Sequence, residues 1–181
     1  KPLIIILISI IILVFGIFFY KDYKLGKKEE LANKYNLTIT NFHSGKKENI
    51  EENLKEIIHA RDKTYSPLAF YFLLDNELIN SKDEINNYFD ILINEVNADK
   101  EIRNLILFKK GLFNSDFANE NELLAILNPV IKSKSIWKPH ALYLMAEFYF
   151  AKNQKQKSKE FFQQLANLEN ASQKIKTEAL K

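Results

Sequence analysis

Residues 139–170 read PHALYLMAEFYFAKNQKQKSKEFFQQLANLEN, and this stretch decides the fold. Pro139 suits the first turn of a helix, where its missing N–H is not needed. Apolar residues then recur every three or four positions as far as Phe150, which is the helical period. Asn153 marks a turn. A second segment follows with Phe161, Phe162, Leu165 and Leu168. The spacing predicts two helices joined by a short turn. Small and aromatic residues mark the pair: Ala146, Tyr149, Ser158 and Phe162, at steps of three, nine and four.

Upstream, the same alternation of helix and short turn recurs. Trp137-Lys138-Pro139 opens the last pair. A pair over 101–132 carries Gly111, Leu123 and Leu127 at corresponding places. Pro129, late in that pair, is expected to kink or end its helix, because it lacks a donor and clashes with the preceding turn. A pair over 67–97 carries Ile85 and Phe89. Ser66-Pro67 reads as an N-cap followed by proline at the first helical position. Ser81-Lys82-Asp83-Glu84 reads as a capping box. Before these, a helix over 47–61 has Ile50, Leu54, Ile57 and Ile58 on one face. The first helix carries Leu25, Leu31, Ala32, Tyr35, Leu37, Ile39 and Phe42 and stops at Ser44-Gly45.

The landmarks Phe89, Leu127 and Phe162 are 38 and 35 residues apart. A tetratricopeptide array repeats every ~34 residues, so the repeats here are degenerate. Phe162, as the closing aromatic of the best pair, is expected in the core. Stacked pairs of this kind bury a continuous core and leave a concave face.

Leu3–Phe19 is LIIILISIIILVFGIFF, without a charge. As a helix it would rise roughly 25 Å, against ~30 Å for the hydrocarbon core of a bilayer. Tyr20, Lys21, Tyr23 and Lys24 follow, an aromatic and basic anchor of the kind found at headgroup level. Phe18, Phe19, Tyr20, Lys21 and Asp22 offer no small-residue cleavage site, so the segment is expected to stay on the protein. The expected fold class is therefore all-α. An N-terminal transmembrane helix, residues 1–23 with its flanks, leads into a tetratricopeptide-like superhelix of antiparallel helix pairs over 24–181.

The chain has no cysteine and a formal net charge of +3. Disulfides and thiolate chemistry are excluded, and the balance is too even for a nucleic-acid groove. His43, His59 and His140 have no metal-ligand spacing, so neither metal nor cofactor is expected. Glu29-Glu30, Glu51-Glu52 and Asp83-Glu84 are neighbours in sequence and do not share a helix face. They read as solvated surface rather than acid–base pairs, and no enzymatic activity is expected. Lys27-Lys28 and Lys46-Lys47 read as solvated faces. The first pair, near the bilayer, is also within reach of anionic headgroups.

SPLAFYFLLDNEL (66–78) and SIWKPHALYLMAEFYFAKNQKQKSKEFFQQL (135–165), in this order after an N-terminal anchor and a long first helix, give the chain a family likeness. It resembles the YfgM-type tetratricopeptide-like proteins of Gram-negative inner membranes. The resemblance implies a single-pass inner-membrane protein with its repeat domain in the periplasm. It further implies a place at the Sec translocon beside a membrane-anchored periplasmic chaperone, helping exported clients reach periplasmic chaperones. The visible lysines argue the other way: Lys21, Lys24, Lys27 and Lys28 outnumber Lys1, which by the positive-inside rule favours a cytoplasmic domain. The chain opens Lys-Pro, and a preceding segment with charges of its own is expected. The periplasmic expectation is therefore kept. The alternative is a structural or assembly subunit of another envelope complex, such as outer-membrane protein assembly or cell division.

Most of the 23 aromatics must be core, and each residue that follows is open to that reading too; carrying the repeat register over places Phe70, Tyr71 and Leu74 on a partner-binding groove, with Phe108 and Leu112 from the middle pair. His140, Tyr143, Glu147 and Phe150 follow from the last pair. Such a groove would suit apolar or extended peptide segments.

Overall fold

The computed structural model describes residues 2–46 and 48–168, with side chains from residue 11 onward. These residues are all-helical, with no strand among them. The helices are α1 (Pro2–His43), α2 (Ile50–His59), α3 (Tyr65–Asp75), α4 (Lys82–Asn94), α5 (Lys100–Asn114), α6 (Glu120–Ile131), α7 (Lys138–Ala151) and α8 (Lys155–Ala166). The chain divides into two compact units, Lys1–Ser81 and Lys82–Lys181. The expected last helical segment, 172–181, lies outside the described residues.

In the first unit, α1 is a single helix of 42 residues. The expected boundary between anchor and domain, at residues 23 and 24, falls inside it. Every residue from Ile11 to Glu30 is exposed. Among the described residues no helix is long and apolar enough to cross a membrane. The expected span Leu3–Phe19 lies partly outside them, since the side chains of residues 3–10 are not described. Beyond Glu30 the helix packs on α2 and α3. Thr38 is its one fully buried residue among those described, at a site where sequence favours Leu37. Its hydroxyl donates to the Lys34 carbonyl at 2.7 Å, so it can be buried without an unpaired polar group. Leu37 points outward, 63 % exposed. Phe42 packs edge-on to Phe72 of α3, with centroids 5.1 Å apart.

α1 ends as the Ser44-Gly45 signal predicts. Gly45 takes φ +78°, its N–H donates to Phe42, and the Lys46 N–H donates to Asn41. These two bonds satisfy carbonyls that the helix end would otherwise leave open. The predicted face of α2, Ile50, Leu54, Ile57 and Ile58, is buried throughout. The start of α3 differs from expectation. The Asp62 carboxylate accepts the N–H groups of Thr64 and Tyr65, both at 2.8 Å, so the helix begins two residues before Pro67. Ser66 is not the cap. It is fully buried, and its hydroxyl donates to the Ile57 carbonyl at 2.8 Å, tying α3 to α2.

In the second unit each helix packs on the next, and α5 also touches α7. α4 begins right after Ser81 and buries Ile85, Tyr88, Phe89, Ile91, Leu92 and Ile93. Asn86 and Asn114 exchange side-chain amide hydrogen bonds of 2.8 and 3.1 Å between α4 and α5. Asn119 and Glu122 form a complete capping box at the start of α6. Pro129 sits in the last turn of α6, which ends two residues later, as its missing donor leads one to expect. A core of Ala118, Leu123, Leu127, Val130, Ala141, Met145, Phe148 and Tyr149 joins α6 to α7. Leu142 and Leu165 continue it to α8.

The closing aromatic of the last pair is a correction. Phe161 packs against both cores, with its ring 5.4 Å from Tyr149. Phe162 is half-buried on the next face of α8, edge-on to Tyr143 at 5.9 Å. Adjacent residues on a helix point about 100° apart, so only one of the two can enter the core.

Candidate interaction surface

The sequence places three of its groove residues in the first unit, and they do not share one environment. Phe70 is fully buried and belongs to the core, so it has no surface to offer a partner. The physical reason is its position on α3, one residue from buried Ala69 and three from buried Leu73. Tyr71 is half-buried with its ring 5.3 Å from Phe70. Burial, and after it the Asp75 carboxylate, raises the pKa of its hydroxyl above the usual phenol range. Leu74 is half-buried.

The second unit carries a more coherent surface. Tyr143, Glu147 and Phe150 recur at steps of four and three along α7, one stripe of a helix. Phe150 is 62 % exposed, Glu147 is exposed and Tyr143 is half-buried. His140 continues the stripe toward the start of α7 and meets Phe108 of α5, with centroids 5.7 Å apart. Phe108 in turn stacks nearly parallel on Trp137 at 6.0 Å. Phe108, Trp137 and His140 thus form an aromatic cluster joining α5 to the start of α7. His140 Nδ1 is buried there without a hydrogen-bond partner among the described residues, as is Asn104 Nδ2 one turn before Phe108. Leu112, the other expected contributor from α5, is 53 % exposed.

A cleft of about 310 Å³ opens beside the stripe, lined by Ser115, Asp116, Leu144, Glu147, Phe148, Ala151 and Lys152. Its walls combine apolar side chains with one lysine and two carboxylates. Among the described residues no cluster of three His, Asp or Glu side chains is placed to hold a metal.

Two parts of this surface are missing from the sequence reading. Trp137 marks a helix start there, whereas in the fold it is a face of the aromatic cluster. The other is Glu101, which accepts the Ser135 hydroxyl at 2.6 Å and the Ile136 N–H at 3.3 Å. It thereby holds Ile136, 69 % exposed, on the surface. Sequence places Phe108 and His140 on the groove but leaves Trp137 out, because Phe108 lies 29 positions before Trp137 and no local pattern links them.

The rear of α7 is fixed by charge. Glu120 of α6 accepts two hydrogen bonds from Lys157 of α8, at 2.7 and 2.8 Å. That ammonium holds the Glu120 carboxyl below the usual carboxylate range. Tyr149, between them on α7, has its pKa pushed up to about 12, first by burial and then by its hydrogen bond to Glu120. Lys157 lies 5.2 Å over the Tyr149 ring. Comparison of the chain with protein-family models, with curated proteins and with solved structures finds no match.

Proposed function

We propose that this chain is a membrane-tethered protein-interaction scaffold of the cell envelope, without enzymatic activity. The single observation that carries the reading is α1. One unbroken helix joins the apolar run, whose side chains from Ile11 to Phe19 stand in the open, to a packed helical domain. Exposed apolar surface on that scale needs cover, and lipid supplies it. Leu3–Phe19 is then the anchor, and the helices after it form a tetratricopeptide-like superhelix. Phe150, exposed on the α7 stripe beside half-buried Tyr143, offers a partner the kind of aromatic anchor that dominates interface energies.

The finer reading follows the family resemblance. The domain lies in the periplasm at the bacterial inner membrane. It assists Sec translocon-linked export beside a membrane-anchored chaperone and hands exported clients to periplasmic chaperones. Crosslinking in native membranes, followed by identification of the partners, tests it: translocon subunits and a periplasmic chaperone are expected. Recovery of outer-membrane assembly or division proteins in their place would favour the alternative of an assembly subunit. Alkaline carbonate extraction tests the anchor, and release of the protein into the supernatant would overturn it. A reporter that is active only after export, fused after Lys181, tests the topology and is expected to be active.

A further inference from the structure

Past the apolar run, α1 continues through Tyr20–Glu30 with every residue exposed. Successive residues on a helix are about 100° apart, so the charges here separate by face. Lys21, Lys24 and Lys28 fall within an arc of about 60°. Asp22, Glu29 and Glu30 lie about 110–150° from the centre of that arc. Lys27 stands about 90° off it and is already engaged, its ammonium 3.1 Å from Glu30. Lys27 and Glu30 also line a cleft of about 240 Å³ with Lys34 and Glu56, which pair with each other. That cleft is neutral and offers no anion site. Among the described residues, Lys21, Lys24 and Lys28 have no carboxylate partner. Lys24 lies 5.7 Å from the centre of the Tyr20 ring.

We propose that Lys21, Lys24 and Lys28 form a stripe that binds the headgroups of anionic phospholipids and tilts α1 toward the bilayer surface. The proposal rests on the reading of Leu3–Phe19 as an anchor and says which face of the emerging helix meets the lipid. At 1.5 Å per residue, Lys21 and Lys24 stand about 3 and 7 Å beyond Phe19, within a headgroup layer about 5–8 Å deep. Lys28 stands about 13 Å beyond Phe19 and reaches the layer when the helix leans to that side. Membrane helices are commonly tilted by about 20°, so the lean is ordinary. The opposite face, with Asp22, Glu29 and Glu30, then turns to water, away from the negative surface. An acidic protein segment is the competing occupant. The stripe's continuity with the apolar run favours lipid, because both surfaces then face one phase.

The absence of native cysteines makes the test direct. The full chain is spin-labelled at Leu25→Cys, on the flank of the stripe, or at Phe15→Cys, within the apolar run. Each is reconstituted into phosphatidylcholine vesicles with or without roughly one third phosphatidylglycerol. With anionic lipid at low salt, the label at 25 should lose roughly twofold or more of its accessibility to a water-soluble relaxing agent. The loss should vanish in about 1 M salt, where the screening length falls to ~3 Å. It should vanish also in the triple variant Lys21→Gln, Lys24→Gln, Lys28→Gln, and survive Lys27→Gln. Equal accessibility in both vesicles, or a loss that survives the triple variant, overturns the lipid stripe. The label at 15 separates the two readings. Shielded from water in both vesicles, it leaves the anchor standing whatever position 25 reports, and open to water it overturns anchor and stripe together.

Discussion

A methyl group added at Gly111 would run into the Leu127 side chain, within 2.9 Å of its Cγ and closer still to Cδ2, so α5 and α6 meet at the one place where α5 has no side chain. Leu127 is fully buried and cannot swing clear. Gly111→Ala gains up to about 1 kcal/mol in helix propensity. Overpacking costs about 1–3 kcal/mol, so a net loss of up to about 2 kcal/mol is expected in urea unfolding. Leu127→Ala alone should cost about 2–5 kcal/mol. The double variant should cost less than the sum, because the truncated side chain makes room for the new methyl. Strict additivity would mean that the contact is not the cause.

Phe161 and Phe162 provide a paired comparison. Phe161→Ala opens space against both cores and should cost about 2–3 kcal/mol, below the full range for a wholly buried aromatic. Phe162→Ala removes one edge-on contact with Tyr143 and should cost about 1 kcal/mol. Thermal unfolding of the two variants decides it. A larger loss at 162 would restore that residue as the core aromatic.

Tyr149 sets an alkaline limit. Its hydroxyl has a higher pKa in the folded protein, about 12, than the ordinary value of 10.0. The folded state therefore keeps a proton that the unfolded chain gives up. The stabilisation is fully present below pH ~10 and is lost as pH rises through ~12. Tyr149→Phe should flatten the fall of stability with pH over that window, by up to one proton's slope. An unchanged slope would show that neither burial nor the Glu120 bond holds the proton on Tyr149.

The α7 stripe is tested by Tyr143→Ala with Phe150→Ala. Phe150 is 62 % exposed, so its truncation alone should leave the fold intact. Tyr143 packs on Phe162, so the double variant should lose about 1 kcal/mol and remain folded by circular dichroism. Capture of partners in co-purification from solubilised membranes should fall several-fold. Normal capture by a folded double variant would move the binding surface elsewhere.

The helices were legible because their apolar period is nearly unbroken: the faces of α2, α4 and α6 are buried as their spacing predicts. The cap at Gly45 was legible because its signal is local. The start of α3 was not. Asp62 reaches past two residues to take its bonds, and a serine–proline pair looks the same whether its hydroxyl caps a helix or crosses to Ile57. Thr38 misled for a related reason: periodicity scores a threonine as polar, and only the bond to Lys34 makes it a core residue. The surface was harder still. Phe70, Phe108 and Phe150 are chemically identical, yet one is buried, one half-buried and one open. Their fates depend on which helices lie opposite, which no local pattern records.

The continuity of α1 also fixes an angular phase between its apolar run and the domain. From Phe19 to Tyr35, which meets Tyr65 of α3 at 5.9 Å, there are 16 residues without a break. One residue inserted in the exposed stretch would swing the domain by about 100° and raise it by about 1.5 Å. Seven inserted residues, near two full turns, would return it almost to its original bearing about 10 Å higher. Bearing and height can thus be dialled separately in this helix, as on a threaded rod, and a partner sensitive to either should respond with the period of the helix.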